Sequence, residues 1–212
     1  MIVHEMKEYA LSLCGDKTVT EAYCGNYFTF VRLSDGSFLI TPFGMDRAYL
    51  EEDDLVRVKA GMKEQGKIPS RAVQLHQKIY DAHPEIHAIL LAHPVHAMAF
   101  AVTDAKFDPR TIPESYILLR DIKRLPYGMI YDQQDKAVAE FSEACPAVMV
   151  DNDCVIVTGE SLLKAFDRLE VMESTAHSIL NSKSIGEIVI NTPSPAIAHA
   201  IYRATGHWHR EL

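Results

Sequence analysis

Two histidines stand one helical turn apart in this chain: His93, which closes an apolar run, and His96. An acidic side chain, Asp153, sits in the turn string Asp151-Asn152-Asp153-Cys154. Imidazole nitrogens suit borderline divalent cations, and a carboxylate suits harder ones. His93, His96 and Asp153 are therefore the side chains available to a metal ion if one is bound. Each also has an ordinary reading. His93 reads as a core imidazole bonded to backbone, His96 as packing beside Met98 and Phe100, and Asp153 as a turn former. The second chemistry is anion binding. Ser70 and Arg71 follow Pro69, and the planar fork of arginine matches phosphate or carboxylate. Arg71 reads equally as a solvated charge on a first helical turn. No base can be named for Cys154, which reads as a small buried residue. The acidic run Glu51-Glu52-Asp53-Asp54 reads as a solvated face.

The elements that must hold these groups follow from the hydrophobic pattern. A short amphipathic helix is expected over 2–14. The aromatic and β-branched segments 27–33 and 37–41 flank the turn signal Ser34-Asp35-Gly36 and read as a hairpin. A helical turn near 46–50 and a strand over 55–59 follow, then a loop over 61–69. Ser70 is read as the cap of a helix over 71–82. Residues 86–92 form a nearly continuous apolar run, as a central buried strand requires. Pro94 opens a helix to about 102. A loop covers 104–113 and a helix 114–122, and Asp132 caps a helix over 133–144. Segments 147–150 and 155–158 read as paired strands. The clearest helix runs from Ser161 to about 181, with Arg168, Glu170 and Glu173 read as facing water. His76 falls mid-helix, where exposure or a helix contact is the default. A last helix is expected near 194–204. Alternating strands and helices with early hairpins predict an α/β fold: a single domain with a central mixed β-sheet flanked by helices on both faces.

Composition bounds the function. The 212 residues carry 21 basic and 29 acidic side chains, a formal charge of −8. That balance repels a phosphate backbone, so general nucleic-acid binding is excluded while a local anion pocket is not. No apolar run approaches the roughly 18–20 residues of a membrane span, and no membrane partner is expected. The four cysteines form no CxxC pair, and reduced thiols in a cytoplasmic setting are expected.

Three segments in register, Gly25 to Val58, Lys67 to Val102 and Ala147 to Ala176, resemble the class II aldolase/adducin-head family, nearest in size to its small sugar-phosphate aldolases. The resemblance implies a class II aldolase-like domain over 1–182 and a helical tail over 183–212 that packs on the core or a neighbouring subunit. It also implies a cyclic homotetramer and a small phosphorylated or acidic sugar-like ligand. Family enzymes hold Zn²⁺ with a glutamate in "PSSE", two histidines in "His-x-His" and a third in "NHG"; the cation stabilises an enediolate. Those motifs stand here as Pro69-Ser70-Arg71-Ala72, Leu91-Ala92-His93 and Asn152-Asp153-Cys154. One of the four positions, His93, keeps its residue type. The resemblance also gives Asn26, Gly44 and Ser70 phosphate-binding places, with Arg71 in place of the second serine. Phe43 inside the "TP-x-G" loop is expected to shrink that pocket. Tyr116 stands near a tyrosine acid that a neighbouring subunit receives. The favoured expectation is a divergent, metal-free homologue that binds a small anion. The alternative is a metal-dependent aldolase with a rearranged site, cleaving a ketose 1-phosphate to dihydroxyacetone phosphate and an aldehyde with Zn²⁺ or another divalent cation.

Overall fold

A computed structural model of the chain describes residues 28–45 and 50–182. The expected helices at 2–14 and 194–204, with Asn26 and the proposed tail, lie outside the described residues.

Eight strands form one sheet: β1 (Phe28–Arg32), β2 (Phe38–Ile40), β3 (Val56–Lys59), β4 (Met62–Lys63), β5 (Ala88–Ala92), β6 (Ile122–Leu125), β7 (Ala147–Val150) and β8 (Val155–Gly159). Their order across the sheet is β4-β3-β2-β1-β5-β8-β7-β6. Only β6 and β7 run parallel, so the sheet is mixed, as expected. The helices among the described residues are α1 (Val73–Ala82), α2 (Val95–Ala101), α3 (Pro113–Leu119), α4 (Met129–Asp132), α5 (Gln134–Val138) and α6 (Leu162–Ser182).

Strand alternation builds two cores. On β5, all of whose residues are buried, Ala88, Leu90 and Ala92 face one side and Ile89 and Leu91 the other. The first side is covered by α2, α3 and α6, with Phe100, Leu119, Leu169 and Met172 in its core. The second is covered by α1, α4 and α5, with Leu75, Ile79, Ile130 and Ala137. Helices thus lie on both faces of one domain. The β1–β2 hairpin is locked at its turn by Asp35, which pairs with Arg57 at 2.7 Å and Lys59 at 3.1 Å. The Ser37 hydroxyl and amide, then Lys59 and Arg57, hold the Asp35 carboxyl well below the usual carboxylate range.

Several local expectations are corrected. The helix read over 114–122 ends at Leu119, and Ile122–Leu125 is an edge strand, β6. The helix read over 133–144 is broken: α4 stops at Asp132, and α5 begins at Gln134 with Gln133, not Asp132, at its N-cap. Residues 62–63, read as loop, form β4. Ser70 does not cap α1, whose N-cap is Ala72 without a side-chain bond. Ser161 does cap α6, accepting the Lys164 N–H at 3.2 Å. His76 is fully buried rather than exposed. Glu173 is also buried, and Arg168 donates to the Thr158 carbonyl at 2.6 Å instead of facing water.

Candidate functional site

The strand directions bring the sequence candidates to one end of the sheet. β2, β5, β6 and β7 all finish there, and β8 begins there. The segments leaving these strands carry Thr41 to Gly44, His93, Tyr131 and Asp153. The register fixes their neighbours: Leu91 pairs with Phe28 on one side and Ile156 on the other, and Ala92 pairs with Val155. His93 directly follows Ala92, and Asp153 and Cys154 directly precede Val155, so all three flank this paired end. The Asp153 turn is held by backbone bonds, Val150 N–H to Cys154 O at 2.8 Å and Asp153 N–H to Val150 O at 3.2 Å. Asn152 takes a left-handed conformation with φ of 54°, which asparagine tolerates.

The anion side is built from two adjoining segments. The Ser70 N–H donates to the Thr41 carbonyl at 3.0 Å, and the Phe43 N–H donates to the Ile68 carbonyl at 2.9 Å. Pro42 bridges Pro69. Thr41 and Ser70 are buried, and among the described residues the Thr41 hydroxyl has no hydrogen-bond partner. Gly44 has φ of 77°, a conformation that favours glycine. Phe43 is 52% exposed, so its ring does not fill the interior beside Thr41. Instead it lies 5.9 Å from the Arg71 guanidinium, within cation–π reach. Arg71 is exposed and makes no ion pair among the described residues.

Tyr131, which sequence reasoning missed, joins this end from α4. Its phenol is pushed up to about 12, first by partial burial and then by the negative charge of Asp153; Arg71 opposes the shift. Asp153, Tyr131 and Arg71 therefore share one electrostatic neighbourhood. The sequence signal for Tyr131 was an aromatic hydroxyl just beyond the Pro126-Tyr127-Gly128 turn. Cys154 is buried, and its thiol is raised well above the usual range by burial and by Asp153, which suits packing rather than nucleophilic work.

His96 is engaged elsewhere. Its Nδ1 lies 2.7 Å from Glu173 Oε1 on α6, on the opposite face of the sheet from Leu91. Tyr116 lies on α3 over that same α6 face, near Arg110. Among the described residues, no three His, Cys, Asp or Glu side chains are grouped to hold one metal ion. Ala72 packs against the α1-side core, and Leu91 is buried within it.

A mixed eight-stranded sheet with helices on both faces, and polar candidate residues gathered where the strands end, defines an α/β protein. Residues 5–180 match the family described as Class II Aldolase and Adducin N-terminal domain, and the chain belongs to that family. It is 29% identical over 151 residues to the L-fuculose phosphate aldolase of Methanococcus maripaludis, covering 70% of this chain and 81% of that one. It is 31% identical over 153 residues to the 3-oxo-tetronate 4-phosphate decarboxylase of Haemophilus influenzae, covering 69% and 72%. The crystal structure of YgbL from Klebsiella pneumoniae superposes with a TM-score of 0.73 at 27% identity, covering 90% and 92%.

Proposed function

We propose that this protein binds a small phosphorylated sugar or sugar acid through Arg71 and the Thr41–Ser70 segment, and does so without the zinc cage of its family. The observation that carries the reading is Arg71: an exposed guanidinium beside buried Thr41 and Ser70, with no ion pair among the described residues. An arginine so placed offers paired donors to a phosphate or carboxylate. The relatives' names agree in one respect, since L-fuculose phosphate and 3-oxo-tetronate 4-phosphate both carry a phosphate. Among the described residues, the donor set on the cation side does not fit tetrahedral zinc. Ala72 and Leu91 supply no ligand atom, His96 turns to Glu173, and His93 and Asp153 remain.

Thermal melting in the presence of a chelator tests this. A ligand at a hundredfold excess over its Kd stabilises by about 2.7 kcal/mol, or roughly 5–10 °C in a domain of this size. Inorganic phosphate or L-fuculose 1-phosphate should raise Tm in the wild type and not in Arg71→Met. An equal rise in both proteins, or none in either, would contradict the proposal.

The second reading is a metal-dependent aldolase with a rearranged site, cleaving a ketose 1-phosphate to dihydroxyacetone phosphate and an aldehyde. It is favoured by His93 and Asp153 lying on the segments that adjoin the paired residues Ala92 and Val155 at one end of the sheet. Stoichiometric metal in protein purified without chelator, with cleavage lost on chelation, would establish it. The family resemblance further supports a homotetramer in the cytoplasm, with residues 183–212 as a tail appended to a 1–182 domain.

A further inference from the structure

The loop that carries Phe43 and the turn that carries Arg71 are pinned to each other along their backbones. The Ser70 N–H donates to the Thr41 carbonyl at 3.0 Å, and the Phe43 N–H donates to the Ile68 carbonyl at 2.9 Å. Between them Pro42 pairs with Pro69. On the Arg71 side, the Val73 N–H closes the turn onto the Ser70 carbonyl at 3.1 Å, where α1 begins. The backbones on both sides are therefore held, and the two side chains meet across them. The Arg71 guanidinium carbon lies over the Phe43 ring, 5.9 Å from its centroid. Phe43 belongs to neither core, and half of its surface is open to water, so core packing does not account for its ring.

A cation–π contact uses the face of the ring and the charge of the guanidinium, and it takes up none of the five N–H donors. An arginine left free in solvent samples many rotamers, and an anion must freeze one of them when it binds. A ring that already holds the guanidinium removes part of that ordering from the binding step. Resting on the anion site proposed above, we propose that Phe43 is a positioning residue for Arg71: its exposed ring holds the guanidinium over the Thr41–Gly44 loop and leaves the N–H donors free for a phosphate or carboxylate. An exposed cation–π contact shifts a rotamer population by a factor of about 2–5, which bounds the gain in affinity. The ring thus serves the anion from outside the pocket rather than by narrowing it.

The test uses the full chain, treated with chelator, and inorganic phosphate as the probe. Affinity is read by calorimetry, and the Arg71 Nε–H resonance is followed by NMR. Phe43→Leu removes the ring and keeps an apolar side chain at an exposed position; Phe43→Tyr keeps the ring. Phe43→Leu should weaken phosphate by about 2–5-fold and move the Arg71 Nε–H signal, which loses the ring current. Phe43→Tyr should keep the wild-type affinity and signal. In an Arg71→Met background, Phe43→Leu should change the residual affinity no further, since the ring acts only through the guanidinium. An Arg71 signal unmoved by Phe43→Leu, equal losses in the Leu and Tyr variants, or a loss that persists without Arg71 overturns the inference. If phosphate binding falls in Arg71→Met yet is untouched by Phe43→Leu, the anion site stands and this inference alone fails. If the wild type does not bind phosphate, or Arg71→Met binds it unchanged, the parent reading fails first and this one falls with it.

Discussion

His76 offers a test of the packing by titration. It lies on α1 with no exposed surface, beside Leu75 and Ile79 in the core under the sheet. Burial lowers its pKa from 6.5 to about 3, because a charged imidazole is poorly solvated there. In the unfolded chain the ring has its ordinary value, so between these limits unfolding takes up a proton. The contribution is fully present above the unfolded pKa and is lost as pH falls toward 3. Each pKa unit is worth about 1.36 kcal/mol, so this one group should remove about 2 kcal/mol of stability by pH 5 and about 3 kcal/mol by pH 4. His76→Leu cannot titrate. Urea unfolding at pH 7.5, 5 and 4 should therefore show the variant losing less stability than the wild type, by those amounts. Parallel losses in the two proteins would refute the reasoning and place His76 where water reaches it.

Other outcomes follow from the same packing. A Cβ at Gly159 would lie 2.6 Å from the Ala165 nitrogen and 2.8 Å from the Ser161 oxygen, both backbone atoms at the start of α6. Gly159→Ala should cost about 1–3 kcal/mol or more, read by chemical denaturation. Cys145 and Cys154 are buried, with thiols raised by burial, so mass mapping after alkylation of the native protein at pH 8 should find both unmodified. Returning donors to the cation side by Ala72→Glu with Leu91→His should yield a protein that retains zinc through gel filtration, measured by elemental analysis. The wild type, loaded and filtered in the same way, should retain much less.

The central sheet was legible because its strands obey simple patterning. The continuous apolar run at 86–92 could only be an interior strand, and the β1–β2 hairpin announced its turn at Ser34-Asp35-Gly36. β6 was hidden because Lys123 and Arg124 are exposed on an edge strand with a single sheet neighbour, so Ile122 read as the end of the preceding helix and 123–125 as no element. Glu173 was misread for a different reason. Its charge suggested solvent, yet it falls four residues after Leu169 and three before Ala176, on the buried stripe of α6. Helical spacing alone placed it inside, and its partners, the amides opening α2, lie 76 and 77 residues away in sequence. At the site, the pairing of Thr41 with Ser70 and the arrival of Tyr131 beside Asp153 depend on strand order. No local pattern encodes that order, so the residues could be named singly but not assembled.

The claim on which the account turns is that Arg71 and its neighbours hold a phosphorylated ligand without help from a metal. Isothermal titration of chelator-treated protein with L-fuculose 1-phosphate, before and after adding one equivalent of zinc, measures it directly. The account predicts saturable binding with the same Kd in both titrations, and its loss in Arg71→Met. Binding that appears only once zinc is present would contradict it.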